Sequence, residues 1–273
     1  MTRPPTLRAR YGRRVAFEVS AQAYGRFMGR YSEPLAREFA EYATVRPGQR
    51  ALDVGCGAGA LTAELVTRLG VSSVHAVDPS EPFVAATAER FPGVDVRCTG
   101  AESMPYDDSS FDRTLAQLVV QFMRDPVAGL REMERVTAPG GVVAANLWDH
   151  AAGRGPLGLF WQAARDVTPS VVDESGQPGV REGQLMELFA AAGMSAGAES
   201  TAQSVRVRHP TFEDWWEPFT LGVGPAGDHV AGLSAADRAA LERRCRELQP
   251  EPPFTVQVHA WTVRWTKPTA PAG

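Results

Sequence analysis

Through the middle of the chain, short apolar runs alternate with amphipathic stretches. Runs at 50–54, 73–78, 94–98, 112–119 and 141–148 have strand length and end at turn residues. Between them, residues 60–69, 82–90 and 125–137 carry helical spacing. This β-α rhythm predicts a mostly parallel sheet with helices on both faces. Ahead of it, residues 15–45 read as helical with breaks near Gly25, Gly29 and Pro34, and Arg46-Pro47-Gly48 reads as a turn. After Trp148 the rhythm stops. Residues 149–181 are rich in glycine and proline around an aromatic pair, Phe160-Trp161. That stretch is too long for a plain connection and predicts an insertion on the substrate side. Helical character returns at 182–192, a strand follows near 199–208, and 211–248 is helical with a break at LGVGPAGDH. The last strand is expected at 255–265.

The 273 residues, 44% hydrophobic and 22% charged, suffice for one α/β domain with a sizeable core. The expected division is a flexible basic tail at 1–14, a single domain at 15–267 and a C-terminal tail at 268–273. Within the domain, 15–45 would form a lid, and 149–181 and 209–232 substrate-side insertions. The net charge of −4 lacks the basic field of a nucleic-acid binder, so no nucleic-acid partner is expected. Cys56, Cys98 and Cys245 are scattered and form no CxxC pair, which suggests reduced thiols, a cytoplasmic protein and no metal site. No apolar run approaches the roughly 18 residues of a membrane span. Arg13-Arg14 resembles a twin-arginine export signal, but the following VAFEVSAQAYGR has no clean apolar core, so export is not expected. The N-terminal helices could exchange between subunits of a homo-oligomer.

The chemistry centres on 51-ALDVGCGAGALTAEL-65. Gly55, Gly57 and Gly59 make a strand-to-helix turn that lets a ligand approach bare backbone. Read as GxGxxA, residues 55–60 also fit a dinucleotide fingerprint. Asp53 changes the picture, because a carboxylate so close would repel a pyrophosphate and attract a cationic ligand. Asp78 ends the second strand, where an acid can accept both ribose hydroxyls. The segment 99-TGAESMPYDDSSFD-112 joins the third and fourth strands beside the expected adenine, and 131-REMERVTAPGG-141 closes a helix in a Pro-Gly-Gly turn. On the residues alone, Asp53 could also bond only to the loop backbone, Asp78 could be a helix cap, and Asp107-Asp108 reads as a solvated turn.

In this order, LDVGCGAG, VDPS, GAESMPYDDSSFD and EMERVTAPGG resemble the class I S-adenosylmethionine-dependent methyltransferases, above all the bacterial ubiquinone/menaquinone-type small-molecule group. That family's pattern runs LDVGCGTG, a strand-end acid, GDAxxLPFxDxxFD and ExxRVLKPGG. YGRFMGRYS, FEDWWEPF and VHAWTVRW are similar to a common bacterial subgroup. The resemblance implies a Rossmann-like, seven-stranded sheet of order 3-2-1-4-5-7-6 with strand 7 antiparallel. It implies S-adenosyl-L-methionine as cofactor and S-adenosyl-L-homocysteine as product. Gly55, Gly57 and Gly59 would cradle the methionine and ribose part, with Asp53 near the ammonium. Asp78 would hold the ribose, and Pro79, Ser80 and Phe83 would flank the adenine or ribose. Ala101 and Glu102 would lie at the adenine edge and Gln117 at the methionine end. Tyr24 and Arg30 belong to the same expected set, Arg30 as a clamp on the methionine carboxylate or an acidic substrate. One departure stands out: the family often has Asp where this chain has Gly100, so Glu102 either takes over the adenine contact or the contact is lost.

Methyl transfer from a sulfonium is an in-line displacement that needs alignment above all, and a base only when the acceptor's proton is held tightly. His150 and His229 are the candidate bases. Phe27, Tyr31, Trp148, Phe160, Trp161 and Trp216 are candidates for a pocket that takes a small, partly apolar acceptor. Quinone-type C-methylation, a cofactor-binding module without methyl transfer and an NAD-dependent oxidoreductase are the competing readings.

Overall fold

Residues 25–168 and 170–269 are described in the computed structural model of the chain. Tyr24, the basic tail 1–14, the remainder of 15–24 and positions 270–273 of the C-terminal tail lie outside them.

A π-helical turn, Gly25–Gly29, runs into helix α1 (Arg30–Tyr42). The alternating unit follows as β1 (Ala51–Val54), α2 (Ala60–Leu69), β2 (Val74–Asp78), α3 (Glu81–Arg90) and β3 (Asp95–Cys98). It continues as β4 (Phe111–Gln117), α4 (Pro126–Val136) and β5 (Thr137–Trp148). Beyond lie α5 (Gly158–Val167), α6 (Gln184–Ala191), β6 (Glu199–His209), α7 (Phe212–Trp216), α8 (Gly224–Gly232), α9 (Ala235–Leu248) and β7 (Phe254–Thr266). The sheet order is β3-β2-β1-β4-β5-β7-β6. Its first five strands pair in parallel, and β7 runs antiparallel to β5 and β6.

The period of two along each strand sorts the apolar residues to opposite faces. Ala51, Leu115, Val142 and Ala144 pack with Phe39 and Leu65 of α1 and α2. Their neighbours Leu52, Ala116, Val143 and Ala145 pack with Leu130 and Met133 of α4 and Phe189 of α6. Because both faces are covered, β1 is buried along its whole length. A third cluster joins α1, α5, α7 and α9 around Phe160, Trp216 and Phe219.

Two expected breaks are absent. Pro34 lies inside α1; the buried face of Leu35, Ala36, Phe39 and Ala40 outweighs one lost hydrogen bond. LGVGPAGDH is largely helical, since Pro225 sits at the start of α8, where no N–H is needed. Ala226 and Val230 then anchor that helix in the aromatic cluster.

Candidate active site

The glycine turn leaves β1 at the point where the sheet order reverses, between β2 and β4. Its three glycines do three different things. Gly55 has φ +77°, and a Cβ there would lie 2.3 Å from Val119 Cγ2. Gly57 has φ +52° and nothing within 4 Å of such a Cβ, so its backbone faces open space. Gly59 is placed differently: it is not among the residues lining the cavity, and a Cβ there would lie 2.8 Å from Phe91. Close packing of α2 on α3 demands it.

A cavity of about 620 Å³ opens over this turn. Of the expected cofactor residues, Asp53, Gly55, Gly57, Asp78, Pro79, Ser80, Phe83, Ala101, Glu102 and Gln117 line it. Asp78 accepts the Gly57 N–H through Oδ2 and the Ser80 N–H through Oδ1, both at 2.9 Å. Burial raises its carboxyl above the usual range, and those two N–H groups oppose the rise. Asp53 is 1% exposed and accepts the Thr62 hydroxyl at 2.6 Å. Its partner is thus a side chain of α2. Burial pushes its carboxyl up to about 7, opposed by the Thr62 hydrogen bond and assisted by the Asp78 charge.

At the opposite wall, Gln117 Nε2 donates to the Ser32 carbonyl at 3.0 Å. Its buried Oε1 has no hydrogen-bond partner among the described residues. Glu102 Oε1 accepts the N–H groups of Arg124 at 2.8 Å and Asp125 at 3.1 Å. Its Oε2 lies 2.9 Å from the place a Cβ on Gly100 would take. The Glu102 carboxylate therefore fills the space that a side chain at position 100 would enter.

Sequence reasoning missed Leu118. It follows β4 with φ +60°, a conformation an L side chain rarely adopts. Its N–H is held by the Asn146 carbonyl at 2.9 Å and Asn146 Oδ1 at 3.2 Å. Leu118 and Phe122 line both the main cavity and a smaller chamber of about 50 Å³. Phe27, Trp148, His150 and Gln121 line that chamber as well, with Glu174, which the sequence did not single out. Glu174 is 5% exposed and accepts Trp161 Nε1 at 2.6 Å. Burial pushes it up to about 7, while Trp161 opposes and the nearby Asp173 charge adds to the rise. Burial moves the His150 imidazole the other way, down to about 4, against the charges of Asp173 and Asp149.

Other expected residues do different work. Arg30 is absent from the cavity lining; its Nη1 donates to Asp214 Oδ2 at 2.8 Å and the Asp214 carbonyl at 3.0 Å. α7 thus supplies Arg30 with a carboxylate partner of its own. Tyr31 is buried, with its hydroxyl 3.0 Å from His209 Nε2. Phe160 stacks on Phe219 at 4.5 Å, and Trp216 packs 6.1 Å from the same ring, so both belong to the core. His229 packs 5.8 Å from the Trp161 ring and lines neither the main cavity nor the chamber. Trp161 reaches the chamber only through its bond to Glu174. Among the described residues, no group of three or more His, Cys, Asp or Glu is placed to hold a metal ion.

Residues 52–145, from β1 into β5, match the family model of the methyltransferase domain. A malonyl-[acyl-carrier protein] O-methyltransferase of Erwinia billingiae is 34% identical over 173 residues, which are 59% of this chain and 66% of the relative. This chain therefore carries a methyltransferase domain, at residues 52–145. A ubiquinone biosynthesis O-methyltransferase of Parvibaculum lavamentivorans is 38% identical over 105 residues, 36% of this chain and 41% of the relative. The chain thus spans less than two thirds of the length of these curated relatives. In fold, the chain resembles the phospholethanolamine N-methyltransferase 2 of Haemonchus contortus, solved with S-adenosylhomocysteine and phosphomonomethylethanolamine. The TM-score is 0.58 at 19% identity, over 98% of this chain and 62% of that one. The expected strand order, with β7 antiparallel, is the one observed. No described helix of the chain is long and apolar enough to cross a membrane.

Proposed function

We propose that this protein transfers the methyl group of S-adenosylmethionine to a small, partly apolar acceptor. The observation that carries the reading is a pair of groups across one cavity. Asp78 offers a carboxylate at one wall, and Gln117 offers a buried, unpartnered acceptor at the other. These groups fit the cofactor's two hydrogen-bonding ends. The ribose hydroxyls would donate to Asp78, whose oxygens keep lone pairs beyond their two backbone bonds. The methionine ammonium would donate to Gln117 Oε1, near the Asp53 carboxyl. Gly57 would let the ligand lie against bare backbone, since nothing stands within 4 Å of its missing Cβ.

Glu102 supports a direct answer to the Gly100 departure. Its Oε2 lies against Gly100 while two N–H groups hold Oε1, so it would accept the adenine amino group in place of an aspartate at position 100. Pro79, Ser80, Phe83 and Ala101 would flank the base and ribose. The cofactor supplies an activated methyl carbon, and the protein's contribution is to align the acceptor and exclude water. The segments 149–181 and 209–232 would form the acceptor side of one domain. The three free cysteines fit a reducing compartment, so the reading places the protein in the cytoplasm with a small-molecule partner.

The test is label transfer. S-Adenosylmethionine carrying a labelled methyl group is incubated with the full chain and a small-molecule acceptor panel. A labelled product formed by the wild type and lost in Asp78→Ala, with folding intact, supports the reading. Product formation indifferent to Asp78 would reject the site.

A further inference from the structure

The chamber beyond Leu118 carries polar groups that the fold leaves unused. Trp148 is 2% exposed and Gln121 8%, and both line the chamber. Among the described residues, neither Trp148 Nε1 nor Gln121 Oε1 has a hydrogen-bond partner. Buried polar atoms are nearly always paired, so two orphans facing one chamber point to a ligand. The third group is Glu174, which spends Oε2 on Trp161 and lines the same chamber. Apart from His150, the remaining wall is apolar, with Phe27, Met28, Leu157 and Val223 among its residues.

We propose that this chamber is the acceptor subsite, that it takes the hydroxyl end of a neutral phenol, and that Glu174 receives the phenol's proton. The proposal deepens the methyltransferase reading and rests on it. The charge pattern selects the class. Among the described residues no lysine or arginine lines the chamber, so an anionic acceptor would meet Glu174 with no counter-charge from them. A cationic amine would pair with Glu174 while its nitrogen lone pair stayed protonated. A neutral hydroxyl does neither. It accepts from Trp148 Nε1 and donates to the Glu174 carboxylate. Among hydroxyls, a phenol near 10 lies within a few units of a carboxyl that burial has pushed up to about 7. His150, pushed down to about 4, is the weaker base, which displaces it from the role its position suggested.

The step balances. The phenol O–H bond breaks and its proton passes to Glu174. The electron pair left on oxygen forms the new bond to the methyl carbon. The carbon–sulfur pair leaves with the sulfur of the sulfonium co-substrate, which becomes a neutral thioether. The chamber's volume of about 50 Å³ admits the hydroxyl and the atoms beside it. The rest of the ring would lie towards the main cavity, with which the chamber shares Leu118 and Phe122.

The experiment uses the full chain and S-adenosylmethionine with 4-cresol and 4-methylcatechol, set against benzyl alcohol and benzylamine, with product read by mass spectrometry. Methylation confined to the phenols is expected. Glu174→Gln should lower kcat by about 10²–10⁴-fold while S-adenosylhomocysteine affinity changes less than about twofold. Trp148→Phe, which removes the indole N–H together with part of the ring, should weaken 4-cresol binding to the S-adenosylhomocysteine complex about tenfold in calorimetry, while S-adenosylhomocysteine affinity stays within about twofold; it carries the test if the Glu174 variant does not fold. Micromolar S-adenosylhomocysteine binding without phenol turnover would overturn the subsite and leave the methyltransferase reading standing. Full turnover in Glu174→Gln would do the same. A folded wild type that binds no S-adenosylhomocysteine would overturn both.

Discussion

The main cavity takes its key walls from the ends of β1, β2 and β4 and the turns that leave them, whereas the small chamber gathers Phe27, Trp148, Glu174 and Val223 from four separated stretches of chain. In the first region, backbone does the work. Positive-φ glycines open the turn, and two N–H groups aim the Asp78 carboxylate. In the second, side-chain packing does it. Glu174 is held by Trp161, and α5, which carries Trp161, is fixed by Phe160 against Phe219 and Trp216. A binding surface encoded in backbone turns tolerates change around it. One assembled by packing depends on the stability of its aromatic cluster.

Substitutions can break or sharpen this contrast. The largest effect is expected from Phe160→Ala, which removes a fully buried ring from the aromatic cluster. Unfolding free energy should fall by about 3–5 kcal/mol, read by chemical denaturation, while cofactor-analogue affinity of the folded fraction stays within about twofold. A large affinity loss would mean that the two regions are not separable. Next comes Gly55→Ala, which drives a Cβ to 2.3 Å from Val119 in a positive-φ backbone. A stability loss of about 3 kcal/mol is expected.

Asp53 gives a pH test of similar size. Its carboxyl is raised from 3.8 to about 7 in the folded state, so the native protein holds a proton that the unfolded chain has released. The stabilisation is complete below about pH 4 and is lost as pH rises through about 7. Between pH 5 and pH 8, wild type should lose about 3 kcal/mol that Asp53→Asn keeps. Glu174, raised in the same direction, adds a slope that Asp53→Asn leaves in place. Equal pH slopes for the two proteins would refute the raised carboxyl. The smallest stability effect belongs to Gly57→Ala, whose Cβ meets nothing within 4 Å. About 1 kcal/mol is expected from its backbone alone, with a loss of analogue affinity above tenfold, because the methyl group enters the ligand's space. The Gly55 and Gly57 pair therefore separates packing from cradling within one turn.

The same contrast explains what the sequence made legible. Asp53, Asp78 and the glycine turn were readable because strand ends and tight turns are local in sequence, and the alternating pattern dictates which ends converge. The packing of the third glycine was not legible: Gly59 shares the motif but lies against Phe91, a contact 32 positions away. The Arg30 ion pair was not legible for a related reason, since its partner Asp214 lies 184 positions on. Glu174 sits in a glycine- and proline-rich stretch where an acid reads as solvated, and only its burial under Trp161 gives it chemistry. Leu118 carried no motif, and its placement follows from the turn after β4.

The most direct test is calorimetric titration of the cofactor-stripped full chain with S-adenosylhomocysteine. One site of micromolar affinity, weakened about 10–100-fold in Asp78→Ala, is the predicted result. A folded protein that gives no binding heat at any temperature tried, with no displacement of a fluorescent analogue, would contradict the cofactor reading of the glycine turn.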